Sequence, residues 1–507
     1  MDGEFVRLML CFRKALIGVL LCLGQASGVL CAPAGLPEPV AAALRAAQLP
    51  PSALSLWIGS AQTPASALAE HQADKAMNPA SVMKLLTTFA GLDLLGPDYR
   101  WHTLVWLDGP TRDGRLQGNL VIQGQGDPTL VTERLWLLLR RVRGLGIQHI
   151  DGDIVLDRSR LTIPVQDPGD FDGEPLRAYN VQPDALLINY GAIALYFTPD
   201  PRAGVARVHM EPPLADVRFP PSIALSPPDT SCADWRAALR ADFDDPVQIR
   251  LAGSFPAACG EKVWHLAYRE PREYAQRALR GMWSQLGGSL GGHVRDGAAP
   301  ARAPDLDLSS RPLAEVIRDI NKFSNNVMAQ QLFLTMGSLA DAPPGPDTPT
   351  RARARLQRWW RDRGLGEPEP IIDNGAGLSR SAQLSARGLA ALLRQAWTSP
   401  WMPELIASLP ITGVDGTLRS HAAAAGRAHL KTGSLAQVLS IAGVVLGASD
   451  QPLIVVALIN HARAAQARSV LNQIIEWSAS QRVRAEAPPP AQATPRRTPG
   501  PGSVQIR

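Results

Sequence analysis

Ser81 and Lys84 stand three residues apart at the start of a segment, 78–96, that reads as a helix. Asn78 can cap it, Pro79 suits its first turn, and Gly96-Pro97 ends it. The i, i+3 spacing puts both side chains on one face. A serine hydroxyl is a poor nucleophile until a base takes its proton. A lysine serves as that base only when burial or a second cation has lowered its pKa. The helix start adds free N–H groups and a positive dipole end beside Ser81, which suit an oxyanion. Met83, Leu85, Leu86, Phe89, Leu92 and Leu95 are apolar on more than one face, so the segment is expected to be a buried core helix. Ser-x-x-Lys by itself is more often a cap beside a solvated charge than a catalytic pair. Here it occurs once, on a buried helix.

Lysine is scarce in this chain. Only six of the 51 basic side chains are lysines (14, 75, 84, 262, 322 and 431). Generic positive charge comes from arginine, which stays protonated, so each remaining lysine has a raised chance of being needed as an amine. Two further segments bear on Lys84. Phe323-Ser324-Asn325-Asn326 holds the one Ser-x-Asn of the chain between two helical runs, and Lys431-Thr432-Gly433-Ser434 opens a strand-like run. Each alone is commonly a turn. In this order they match the Ser-x-x-Lys, Ser-x-Asn and Lys-Thr-Gly triplet of penicillin-recognising serine enzymes.

Ser324 follows Ser81 by 243 residues, much further than in class A β-lactamases. A large insertion after the active-serine helix resembles the class C low-molecular-mass penicillin-binding proteins, the D-alanyl-D-alanine carboxypeptidase/endopeptidases of the DacB type. Further stretches are similar to that family: 118–120 with 124–130, 151–157, 179–186, 373–380 and 413–418. The resemblance covers roughly residues 40–480. It implies an α/β (α+β) transpeptidase-like catalytic domain, an antiparallel sheet flanked by helices and interrupted by a mostly β insertion. By motif, Ser81 is implied as the nucleophile and Lys84 as its base. Ser324 is implied as a proton relay to the leaving amine, and Asn326 as a ligand of the substrate backbone or of Lys84. Lys431 is expected to be a permanent cation that keeps Lys84 neutral. Thr432, Gly433 and Ser434 are expected to hold the substrate's terminal carboxylate, with the Ser81 and Ser434 amides as oxyanion hole. Asp157 is a further candidate, as a contact for the cationic side chain of a stem-peptide diamino acid, against the plainer reading of a solvated loop carboxylate. The implied partners are peptidoglycan stem peptides, with β-lactam antibiotics as covalent inhibitors.

The elements that must position these residues are only partly visible. From about 100 to 300 the texture changes to short strand-like runs (Leu120–Gln123, Asp153–Leu156, Ala192–Phe197) broken by Gly, Pro and Asp. Helical texture returns over 311–337, 350–363 and 382–397. Strand-like runs follow over 429–446 and 451–461, and 465–481 reads as a last helix. This divides the chain into a signal peptide (1–34), a catalytic domain in two parts (35–98 and 303–483), an inserted unit (99–302) and a disordered tail (484–507) rich in Pro, Ala and Arg.

Arg7, Arg13 and Lys14 precede the apolar stretch Ala15–Leu23 and an Ala-Pro-Ala at 32–34, the pattern of a secretory signal and too short for a membrane span. Asp2 and Glu4 fit such a signal poorly, so Met9 is an alternative start. Leu30 is bulky where a lipoprotein anchor at Cys31 needs a small residue. A soluble periplasmic protein is expected. Beyond the signal region only Cys232 and Cys259 remain, an even count in an oxidising compartment, and they are expected to be bridged rather than two separate thiols.

With 507 residues, 45% hydrophobic and 19% charged, the chain can bury a large core, and its 43 glycines and 44 prolines supply many turns. A net charge of +5 without a dense basic run gives no case for nucleic acid. Nine histidines without ligand spacing give none for a metal, and no cofactor is implied. Two other functions are compatible with a fold of this kind. An idle wall-binding scaffold of the same fold is expected to lose the serine or a motif lysine, and all are present. A β-lactamase needs a water-activating acid, and no acidic residue can be assigned that role.

Overall fold

The computed structural model describes residues 35–62 and 67–482. The expected signal segment, with Cys11, Cys22 and Cys31, and the tail from 484 lie outside them. Five strands form one sheet: β1 (Leu54–Ser60), β2 (Ala69–His71), β3 (Ala428–Leu435), β4 (Val438–Leu446) and β5 (Pro452–Asn460), in the order β2-β1-β5-β4-β3. The pairings β1–β2, β1–β5, β4–β5 and β3–β4 are all antiparallel. The strand nearest the amino terminus thus lies beside the last one. The run 429–446, which looks like one strand in sequence, is a hairpin of β3 and β4.

Both faces of this sheet are covered, which explains why β4 and β5 are almost continuously apolar rather than alternating. Along β5 the alternation is between two cores. Val455, Ala457 and Ile459 pack with Val40 and Leu44 of helix Glu38–Ala46 and with Ile474 of helix Arg468–Ser480. Ile454, Val456 and Leu458 pack with Leu85, Leu86 and Phe89 of α1 (Lys84–Leu95) and Leu389 of helix Ala386–Thr398. On that second side α2 (Leu313–Lys322) and α3 (Asn326–Gly337) lie against α1, bringing Ile317, Ile320 and Leu332 into the same core. The helical run 311–337 is therefore two helices, an amphipathic one and a buried one, broken at 323–325.

Residues 102–309 build other sheets. One has the order Val294–Asp296, Ile154–Asp157, Asn119–Gly124, His102–Asp108, Leu306–Ser309, so its last strand pairs with one about 200 residues earlier in sequence. A six-stranded sheet contains Ala192–Asp200 and Val205–Glu211, and Cys232 and Cys259 form a disulfide in that region. Two helices, Thr132–Gly144 and Pro271–Gln285, share the core of this part, which its strand-like texture did not disclose. No helix among the described residues is long and apolar enough to cross a membrane.

Candidate active site

The expected helix over 78–96 is two elements. Ala80–Met83 form a 3-10 turn, α1 continues from Lys84, and Gly96 (φ +82°) ends it. In a 3-10 turn residues i and i+3 eclipse, so Ser81 and Lys84 face the same way. Asn78 is not a helix cap. Its Oδ1 accepts the Ala80 N–H at 2.9 Å, its Nδ2 donates to the Ser379 carbonyl at 2.8 Å, and Asn460 on β5 bonds both its amide and its carbonyl. Ser440 on β4 donates to the Pro79 carbonyl at 2.7 Å. The turn carrying Ser81 is thus fastened to two strands and a loop, which holds Ala80 at φ +46°, a region unfavourable for a residue with a Cβ.

Lys84 is fully buried. Its Nζ lies 3.0 Å from Ser81 Oγ, 2.7 Å from Asn326 Oδ1 and 2.7 Å from the Ala376 carbonyl. A neutral amine has two N–H donors and one lone pair. The two carbonyl-type oxygens use the donors, which leaves the lone pair for the Ser81 hydroxyl proton. Burial, and secondarily the Lys431 ammonium, push the Lys84 pKa well below that of a free lysine.

Asn325 caps α3 by accepting the Met328 N–H, which puts Asn326 in the first turn with its amide group on Lys84. Ser324, at φ +57° between α2 and α3, has its Oγ 2.9 Å from Lys431 Nζ, which also donates to the Thr432 carbonyl at 2.7 Å. Lys431 departs from the expectation of a permanent cation. It too is fully buried, no carboxylate pairs with it among the described residues, and burial pushes its pKa down to about 7.

Thr432, Gly433 and Ser434 follow on β3, the edge strand of the sheet. One side of β3 is paired with β4, and residues 410–412 bond the start of its other side at Ala428 and Leu430. The part of that edge beyond Lys431 is therefore the one that offers backbone groups to an extended peptide. A Cβ on Gly433 would stand 3.0 Å from the Ser81 nitrogen and 2.8 Å from the Pro79 carbonyl, so glycine is what lets the strand pass so near the Ser81 amide. Ser434 is exposed beside it.

Asp157 is not brought to this group. It ends strand Ile154–Asp157, is 3% exposed, and accepts from Gln123 Nε2 (2.7 Å), Ala299 N (2.9 Å) and Ser159 N (2.8 Å). Burial alone would raise its pKa, and these donors bring it below the usual carboxylate range. It is neither at the Ser81 cluster nor a solvated loop carboxylate; its oxygens are occupied within the insertion.

Two contributors carry no side-chain signal. Ala376 acts through its carbonyl, presented by a loop in which Gly375 and Gly377 sit at φ +71° and +74°. Gly375 likewise offers its carbonyl to Thr87 Oγ1 at 2.6 Å. The Gly-x-Gly of 375–377 was the available clue. The second is Tyr179, whose carbonyl accepts from Asn326 Nδ2 at 3.2 Å and thereby joins the insertion to the site. Tyr179 and Asn180 are held by Asp172, and Arg380 stacks on Phe171 at 4.4 Å. Among the described residues no cluster of His, Cys, Asp and Glu could hold a metal ion.

The sequence profile of the D-Ala-D-Ala carboxypeptidase 3 (S13) family matches residues 36–481. The chain belongs to the S13 family. Related proteins include the D-alanyl-D-alanine carboxypeptidase of Actinomadura sp. (strain R39), 29% identical over 392 residues, which are 73% of this chain and 71% of the relative. D-alanyl-D-alanine carboxypeptidase DacB of Haemophilus influenzae is 24% identical over 412 residues, 78% of this chain and 82% of the relative. The crystal structure of penicillin binding protein 4 (dacB) from Haemophilus influenzae superposes with a TM-score of 0.69 at 21% identity, covering 86% of this chain and 97% of that one. That likeness establishes the transpeptidase-like fold of this S13-family chain.

Proposed function

We propose that this S13 peptidase removes the terminal D-alanine of peptidoglycan stem peptides, and cleaves D-Ala cross-links, through an acyl-enzyme on Ser81. The reading rests chiefly on one observation: a buried, unpaired lysine amine 3.0 Å from the Ser81 hydroxyl, with its other contacts taken by oxygen acceptors. Ser81 Oγ attacks the carbonyl carbon of the penultimate D-Ala as Lys84 Nζ takes the hydroxyl proton. The Ser81 and Ser434 amides receive the oxyanion. The proton then passes from Lys84 by way of the Ser324 hydroxyl to the leaving nitrogen, the C–N bond breaks, and D-alanine departs. Water attacks the ester by the reverse relay and frees the trimmed peptide.

Lys431, Thr432 and Ser434 recognise the terminal carboxylate, the anion that Lys431 lacks in the free protein. Binding it raises the Lys431 pKa, because an opposite charge favours the ammonium. Penicillins carry a carboxylate beside a reactive acyl group and occupy the same site covalently. The same reading divides the chain at about 99 and 302 into a two-part catalytic unit and an insertion, supported by the separate sheets and cores. The basic-then-apolar amino terminus supports export to the periplasm.

The experiment is incubation with a D-Ala-D-Ala-terminated pentapeptide and with a D-Ala-linked cross-bridged dimer. Free D-alanine or dimer cleavage is expected from the wild type. Intact pentapeptide together with intact dimer would contradict the proposal.

A further inference from the structure

Lys322 is the one lysine ion-paired among the described residues. It ends α2, two positions before Ser324, and its side chain is 4% exposed. Its Nζ donates to Asp415 Oδ2 at 2.6 Å, and Asp415 Oδ1 accepts the Ile411 N–H at 2.9 Å. Burial would raise the Asp415 pKa, but Lys322 and the Ile411 amide bring it below the usual carboxylate range. The pair spans 93 residues of sequence and joins α2 to the loop 413–418.

That loop reaches the carboxylate-binding strand. At Gly416, φ is +56° and a Cβ would stand 2.6 Å from the Lys322 carbonyl, so the loop backbone rests on the end of α2. The next residue, Thr417, has its hydroxyl 2.9 Å from that of Thr432. Lys431, beside Thr432, is 2.9 Å from Ser324 Oγ, and Ser324 is joined back to Lys322 through Phe323. The contacts close a circuit around one wall of the site. Apolar packing anchors the loop at its end, through the fully buried Leu418, but not around the ion pair, where Phe323 is 69% and Val414 53% exposed. The ion pair is the polar fastening there, with its lysine buried and its aspartate half-buried, and removing one partner would strand the buried lysine charge. A Thr417 hydroxyl that donates to Thr432 Oγ1 leaves the Thr432 proton free for an anion.

We propose that the Lys322–Asp415 pair is a positioning clamp that sets the Thr432 hydroxyl, through Thr417, for substrates bearing a terminal carboxylate. Neither residue touches substrate. The inference rests on the peptidase reading and adds to it a cause of selectivity for acidic C-termini.

The test compares two substrates of the full chain: a D-Ala-D-Ala-terminated peptide and an acyl-D-alanyl thioester whose leaving thiol has no carboxylate. Asp415→Asn is expected to lower kcat/KM roughly tenfold for the peptide, mainly through KM, and less than about twofold for the thioester. Thr417→Val keeps the ion pair and is expected to show the same selective loss, so the inference remains testable if Asp415→Asn does not fold. Equal losses on both substrates, or none on the peptide, would overturn it. Wild-type release of D-alanine in the same assay reports on the peptidase reading separately. An active wild type with an unchanged substrate ratio in both variants removes the clamp and leaves that reading standing.

Discussion

Lys84→Met is expected to slow acylation of Ser81 by about 10²- to 10⁴-fold, the range general-base catalysis contributes. Methionine fills nearly the same volume but cannot take the hydroxyl proton. The change leaves Asn326 Oδ1 and the Ala376 carbonyl without a donor, a cost of about 1–3 kcal/mol, partly offset because a buried amine is no longer desolvated. Folding should therefore survive while chemistry fails. The pH dependence separates the two effects. Lys84 works as a base only when neutral, so the wild-type acylation rate falls as pH drops through its lowered pKa. Lys431, with a pKa of about 7 in the free protein, binds a carboxylate only when protonated, so kcat/KM for carboxylate-bearing ligands falls as pH rises above that value. Because the two ammonium groups repel, the limbs report macroscopic values of the pair. Stopped-flow acylation by a penicillin across pH should give a bell for the wild type, with the acid limb absent in Lys84→Met. A variant that acylates within about threefold of the wild type would remove Lys84 as the base.

Gly377→Ala is expected to damage stability and acylation together. Gly377 has φ +74°, and a Cβ there would stand 1.9 Å from the Ala80 carbonyl and 3.0 Å from Met83 Cβ. The loop must lift off the turn that carries Ser81, taking the Ala376 carbonyl from Lys84. Gly426 provides the comparison, because it has the same φ of +74° with nothing within 4 Å of an added Cβ. Gly426→Ala should cost only the left-handed backbone penalty of about 1–2 kcal/mol. Gly377→Ala should cost about 2–3 kcal/mol more, from steric strain and the lost hydrogen bond. Denaturant midpoints measure both. Equal destabilisation, or full acylation by Gly377→Ala, would show that the loop does not press on the active turn.

What could be read from the chain beforehand follows from where the information lies. Ser81, Lys84, Ser324, Asn326 and Lys431 stand out through side chains in short motifs, and the structure joins them in two hydrogen-bonded groups, Ser81–Lys84–Asn326 and Ser324–Lys431. The strands Asn119–Gly124, Ile154–Asp157 and Ala192–Asp200 were visible because turn residues bound their apolar runs. The strand Leu54–Ser60 was not, since it is buried on both faces and shows no alternation. Ala376 contributes a carbonyl, which no residue type announces. Lys322 and Asp415 meet across 93 residues, a distance that local periodicity does not reach. Asp157 lies in a family-like stretch, and its three donors inside its own sheet and loop come from residues 123, 159 and 299, two of them far away in sequence. The charge state of Lys431 depends on burial, and burial depends on the whole tertiary structure.

The most direct measurement of the central claim is mapping the adduct formed with a labelled penicillin. A single covalent label on Ser81 is expected, stable enough to follow into a proteolytic peptide and absent from Ser81→Ala. A label elsewhere, or equal labelling of wild type and Ser81→Ala, would contradict it.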